Sequence, residues 1–150
     1  MIRKGYIETS FGLIHYRSAG NSENPHVLLL HQTASSSAMY EAIMNLLADK
    51  FYLFAPDTLG FGASDFSKEP ATMQIYADSL REATDKFGLE NPFVFGHHTG
   101  ASIAVQMEFD KPFARKIFHF RSALSDSRAK RAIQKRCSAD CDRKRRFTSC

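Results

Sequence analysis

The chain is expected to be an α/β protein, a mostly parallel sheet flanked by helices, and three observations predict it. Short, continuous apolar runs at residues 26–30, 51–55 and 93–95 read as strands buried on both faces. Amphipathic helical patterns lie between them, and strands separated in this way become parallel neighbours through right-handed crossovers. Glycine-punctuated loops follow the strands, at the carboxyl ends where such a sheet binds ligands.

Taken in order, residues 6–9 and 13–16 alternate around Ser10-Phe11-Gly12 and predict an antiparallel hairpin. The strand at 26–30 leads into a polar loop, His31-Gln32-Thr33-Ala34-Ser35-Ser36-Ser37. Met39, Ile43, Leu46 and Leu47 then fall at helical spacing and predict a helix with that face inward. After the strand at 51–55, a glycine-rich loop covers residues 57–65. The next helix carries Met73, Tyr76, Ala77, Leu80, Thr84 and Phe87 on one face, with Ala83 at its margin. Gly88 is placed for a left-handed cap. Beyond residues 93–95 a helix is expected over 101–109, stopped by Pro112, and then one more strand at 117–120.

Composition sets the class. With 150 residues and 43% hydrophobic content, one globular core is expected. No run of 18 apolar residues spans a membrane, and the first residues resemble no signal peptide, so the cytoplasm is the expected compartment. The net charge of +4 hides an asymmetry: residues 1–110 hold 7 Lys/Arg against 13 Asp/Glu, and residues 111–150 hold 13 against 3. All three cysteines, Cys137, Cys141 and Cys150, lie in the basic segment and fit neither a zinc pattern nor an even disulfide set. The expected division is a core over 1–120 and a basic, poorly ordered tail over 121–150. The tail's composition also resembles translation in a shifted reading frame with an early stop. Its rival reading is a basic arm for nucleic acid or anionic membrane, although it lacks aromatic interleaving, so no specific nucleic-acid partner is expected.

The stretch with most chemistry is Phe93-Val94-Phe95-Gly96-His97-His98-Thr99-Gly100-Ala101, a strand, a tight bend and a helix start. Gly96 and Gly100 let strand and helix backbones approach closely, which is the context of a nucleophile elbow, G-x-S-x-G, with His98 at its centre instead of serine.

Three motifs in order now resemble the N-terminal half of the α/β-hydrolase superfamily. They are Leu28-Leu29-Leu30-His31, the D-x-x-G-x-G-x-S-D loop from Asp57 to Asp65, and the elbow. The resemblance covers roughly residues 5–120 and implies an α/β-hydrolase fold that is C-terminally incomplete. It implies a small-molecule substrate, an ester, lactone or related carbonyl compound, and no cofactor. It also implies two backbone oxyanion donors, Thr99 and Thr33, beside His31 and Gln32, where Gln32 departs from the family's usual glycine. The superfamily's acid and final histidine follow later strands, and no histidine here comes after His119. In this form the chain is therefore expected to be inactive or weak.

His98 is open to four readings: nucleophile, general base, part of a non-catalytic binding scaffold, or a neutral loss in a degenerating gene. Asp57 is expected to organise its own turn through side-chain-to-backbone bonds, with pairing to a loop histidine as the alternative. His31 is expected to brace its loop more than to catalyse. His15, His26 and His119 sit in strand patterns and are expected to have no chemical role. His31, His97 and His98 lack metal-ligand spacing, so no metal is expected. An exposed sheet edge near residue 120 would favour self-association.

Overall fold

The computed structural model describes residues 1–120, and the poorly ordered basic tail expected at 121–150 lies outside the described residues. The hairpin is β1 (Arg3–Thr9) and β2 (Gly12–Ala19). Then come β3 (His26–Leu30), a 3-10 turn (Ser37–Tyr40), α1 (Glu41–Leu47), β4 (Tyr52–Pro56) and α2 (Met73–Phe87). The chain continues through β5 (Phe93–His97), α3 (Thr99–Asp110) and β6 (Lys116–Phe120). Each predicted element is present, and β4 starts and ends one residue later than the apolar run suggested.

The six strands form one sheet in the order β1-β2-β4-β3-β5-β6. The hairpin strands pair antiparallel, β2 also pairs antiparallel with β4, and the β4-β3-β5-β6 block is parallel. Because side chains alternate across a strand, the apolar runs feed two cores. Leu28, Leu30, Phe54 and Val94 face α2 and α3, meeting Leu80, Ala83, Ile103 and Met107. Leu29, Leu53 and Ala55 face the other way, towards Tyr40 and Met44. A parallel strand covered on both faces needs this unbroken hydrophobicity. Phe54 is fully buried and stacks on Phe87 with ring centroids 4.1 Å apart.

The α2 boundaries have local causes. Thr72 accepts from the Ile75 N–H at 3.2 Å, and Gly88 closes the helix at φ 81°. Its inward face differs from the expected one at two positions: Ala83 is completely buried, whereas Met73 is 38% exposed.

The α1 face is a clear correction. Met39, Ile43 and Leu46 are 40%, 42% and 76% exposed, and the inward residues are Tyr40 and Met44. The Ser36 side chain caps the 3-10 turn, which sets the helix phase before α1 begins. The Tyr40 hydroxyl donates to the Leu30 carbonyl at 2.8 Å, fixing that rotation. Ile43 and Leu47 instead border an apolar groove of about 290 Å³, with Val27, Phe93, Phe95 and Phe118 across it. Among the described residues β6 pairs with β5 alone and forms a sheet edge. No helix there is long and apolar enough to cross a membrane.

Candidate active site

Three loops meet at the carboxyl ends of β3, β4 and β5. The loop after β4 is the most tightly bonded. The Asp57 carboxylate accepts from the Ser37 N–H at 2.5 Å and the Ala63 N–H at 3.0 Å, and receives His15 Nδ1–H at 2.8 Å. The Asp57 backbone N–H donates to the His15 carbonyl, and its carbonyl accepts from the Ser64 hydroxyl. Ser64 in turn accepts from the His15 N–H, while Asp65 exchanges two bonds with Leu13. A Cβ on Gly62, at φ 59°, would sit 2.0 Å from Asp57 Oδ2. The spacing Asp57…Gly62…Ser64-Asp65 is therefore a bonding pattern that seals the loop against the β2 end.

Burial alone would raise the Asp57 carboxyl. The Ser37 hydroxyl and N–H, the Ala63 N–H and His15 outweigh it and hold the carboxyl below the ordinary value. Asp57 organises its turn as expected and in addition pairs with a histidine of a strand. His15, expected to have no chemical role, is that partner, buried under the Tyr6 ring. Ser37 extends the set outward, since its hydroxyl accepts from Arg17, which also bonds Glu41 at 2.7 Å. Neither His15 nor Ser37 is signalled in the sequence, because each meets Asp57 only across the fold.

His31 is 2% exposed and both ring nitrogens are engaged. Nε2 accepts from the Thr58 N–H at 2.9 Å, so Nδ1 carries the proton and donates to the Gln32 carbonyl at 2.8 Å. Burial lowers its pKa, opposed in part by the Gln32 carbonyl and the Asp57 charge. A neutral ring bonded at both ends ties the β3 loop to the β4 loop.

The elbow is built as its glycines require. A Cβ on Gly96 would lie 2.5 Å from Ala101 Cα, and one on Gly100 would lie 2.2 Å from the Leu30 carbonyl oxygen. Between them His98 adopts φ 53°, ψ −110°, a strained conformation for a residue with a side chain. It is exposed at the tip of the bend, and its Nδ1 stands 3.5 Å from Thr99 Oγ1. The hydroxyls of Thr99 and Thr33 are in direct contact, and the Thr33 N–H points to Thr99 Oγ1 at 3.4 Å. Ala34 follows at φ 59°, so this loop too is held in a left-handed bend. Thr99 opens α3, where a backbone N–H has no partner within the helix.

These loops enclose a cavity of about 90 Å³ lined by His31, Thr33, Thr58, Phe61, Tyr76, Thr99 and Ile103. The sequence-predicted residues His31, Thr33 and Thr99 meet there, with His98 beside Thr99, while Gln32 is not in the cavity wall and its carbonyl accepts from His31. Phe61 and Ile103 were not singled out from sequence, and Tyr76 was read only as part of a helix's apolar face, since an apolar wall has no motif. Among the described residues, no three His, Cys, Asp or Glu side chains gather as a metal site.

A strand, a strained elbow and two loops in this arrangement coincide with a family model described as alpha/beta hydrolase fold, which matches residues 25–108. The chain belongs to the α/β-hydrolase family. Its relatives include the haloalkane dehalogenase 2 of Mycobacterium tuberculosis, 31% identical over 107 residues, which are 71% of this chain and 37% of the dehalogenase. The soluble epoxide hydrolase of a Corynebacterium strain is 29% identical over 97 residues, 65% of this chain and 33% of that enzyme. Among solved structures, the N-acyl homoserine lactonase AidH complexed with N-butanoyl homoserine superposes with a TM-score of 0.75 at 27% identity. That match covers 80% of this chain and 45% of the lactonase. This chain thus spans less than half the length of each of these three proteins.

Proposed function

We propose that this chain carries the elbow side of a hydrolase site that acts on an ester, lactone or related carbonyl substrate, with His98 at its centre. The observation that carries the reading is the backbone of His98. A bend at φ 53°, ψ −110° is costly for histidine, and the surrounding close contacts of Gly96 and Gly100 maintain it. Strain of this kind concentrates at functional sites, where it aims a side chain. The neighbouring cavity has polar groups from three loops and an apolar wall, the usual make-up of a small-molecule site. The relatives named above, a dehalogenase, an epoxide hydrolase and a lactonase, support hydrolysis as the reaction class. Among the described residues, the bonding contact that the His98 side chain makes is to Thr99 Oγ1.

A second reading, a non-catalytic scaffold that binds a small ligand or a protein, has one observation in its favour. The Thr33 N–H, an expected oxyanion donor, is directed at Thr99 Oγ1 in this structure. Replacing His98 with alanine separates the two. Loss of ester or lactone turnover supports the hydrolase. Retained ligand binding, with no turnover in either protein, supports the scaffold and sinks the enzymatic reading.

A further inference from the structure

If the site hydrolyses a carbonyl substrate as proposed above, its chemistry must occur where the cavity is. His98 is exposed at the tip of the elbow and is absent from the cavity wall, whereas Thr99 is part of that wall. The Thr99 hydroxyl lies 3.5 Å from His98 Nδ1 and against the Thr33 hydroxyl. We infer that Thr99 is the nucleophile of this site and His98 its general base, with the nucleophile one residue past the centre of the elbow.

The chemistry of the groups agrees with this division. An imidazole that attacks a carbonyl directly forms a labile acyl-imidazole, while a threonine hydroxyl with an adjacent base forms an ester. A base–nucleophile contact of 3.5 Å is long, and contacts of this kind tighten in the complex with substrate. The balance of the step is simple. His98 Nδ1 takes the Thr99 hydroxyl proton as Oγ1 bonds the carbonyl carbon and the carbonyl π pair moves to oxygen. Collapse of that adduct breaks the bond to the leaving oxygen, which receives the proton from Nδ1. A water molecule, deprotonated in turn by His98, then attacks the threonyl ester. The acid is released and Thr99 Oγ1 regains its proton. The Thr33 N–H, now aimed at Oγ1 from 3.4 Å, lies where the oxyanion next to that oxygen would form. With about 90 Å³ available, the acyl group accepted is a short one.

The test uses p-nitrophenyl acetate as the probe on the full chain. Wild-type protein should release p-nitrophenolate and, on acid quenching, carry an acetyl group that peptide mass spectrometry maps to Thr99. Thr99→Val should lose about a hundredfold or more in rate and the adduct, Thr99→Ser should recover to within about tenfold, and His98→Gln should lose about a hundredfold. Should Thr99→Val not fold, the adduct position in wild type and the rate of Thr99→Ser decide the matter. An acetyl group on His98, or full turnover by Thr99→Val, overturns the Thr99 assignment and leaves the hydrolase reading standing. No release above buffer by wild type overturns both.

Discussion

The two loops that face each other at the sheet's rim are built in opposite ways. In the Asp57 loop a buried carboxylate satisfies two backbone donors and a histidine, Ser64 and Asp65 bond to β2, and Gly62 leaves the room that the carboxylate needs. At the elbow, a strained and exposed histidine has one long contact to its neighbour. The first arrangement lowers the free energy of the fold. The second raises it locally and is kept in place by the packing of Gly96 and Gly100. The difference separates brace from strain: the Asp57 loop fixes the rim, and the elbow holds His98 exposed on that rim, where the proposed site needs it.

The comparison is broken most severely by Asp57→Ala. The Ser37 and Ala63 N–H groups and His15 would lose their acceptor inside the protein, at about 1–3 kcal/mol for each unpaired buried group. A loss of about 3–5 kcal/mol in urea unfolding is expected. A loss below about 1 kcal/mol would show that the loop is not the brace described.

A smaller effect comes through pH. His31 has a folded pKa below its ordinary 6.5 because it is buried, so the unfolded chain takes up the proton first. Stability is therefore complete above about pH 6.5 and declines as the pH falls below that value towards the folded pKa. Asp57, depressed from 3.8, adds a further loss only below that pH. Chemical denaturation followed from pH 8 to 5 should show the first decline, and His31→Gln should flatten it. An equal slope in both proteins would remove His31 as the cause.

Much of this arrangement is legible in the sequence, and the parts that are not share a cause. The strand at His26–Leu30 is readable because a doubly covered parallel strand must be apolar throughout. The elbow is readable because its two glycines mark a close approach of backbones that leaves no room for a side chain. The face of α1 was misread because periodicity gives a stripe without an absolute phase, and the phase came from the Ser36 cap and the Tyr40 bond to Leu30. The pairing of Asp57 with His15 spans 42 positions between strands, so no local pattern encodes it. The contact of Thr33 with Thr99 spans 66 and is hidden for the same reason.

The smallest effect tests the contrast most directly, because its sign is unusual. His98→Gly removes the side chain from a conformation that only glycine adopts readily. Urea unfolding and p-nitrophenyl acetate hydrolysis should be measured on the same preparations of wild type and His98→Gly. The account predicts that stability rises by about 1 kcal/mol while hydrolysis is lost. A variant that is less stable than wild type and still turns over the ester would contradict it, since His98 would then be part of the scaffold and not of the site.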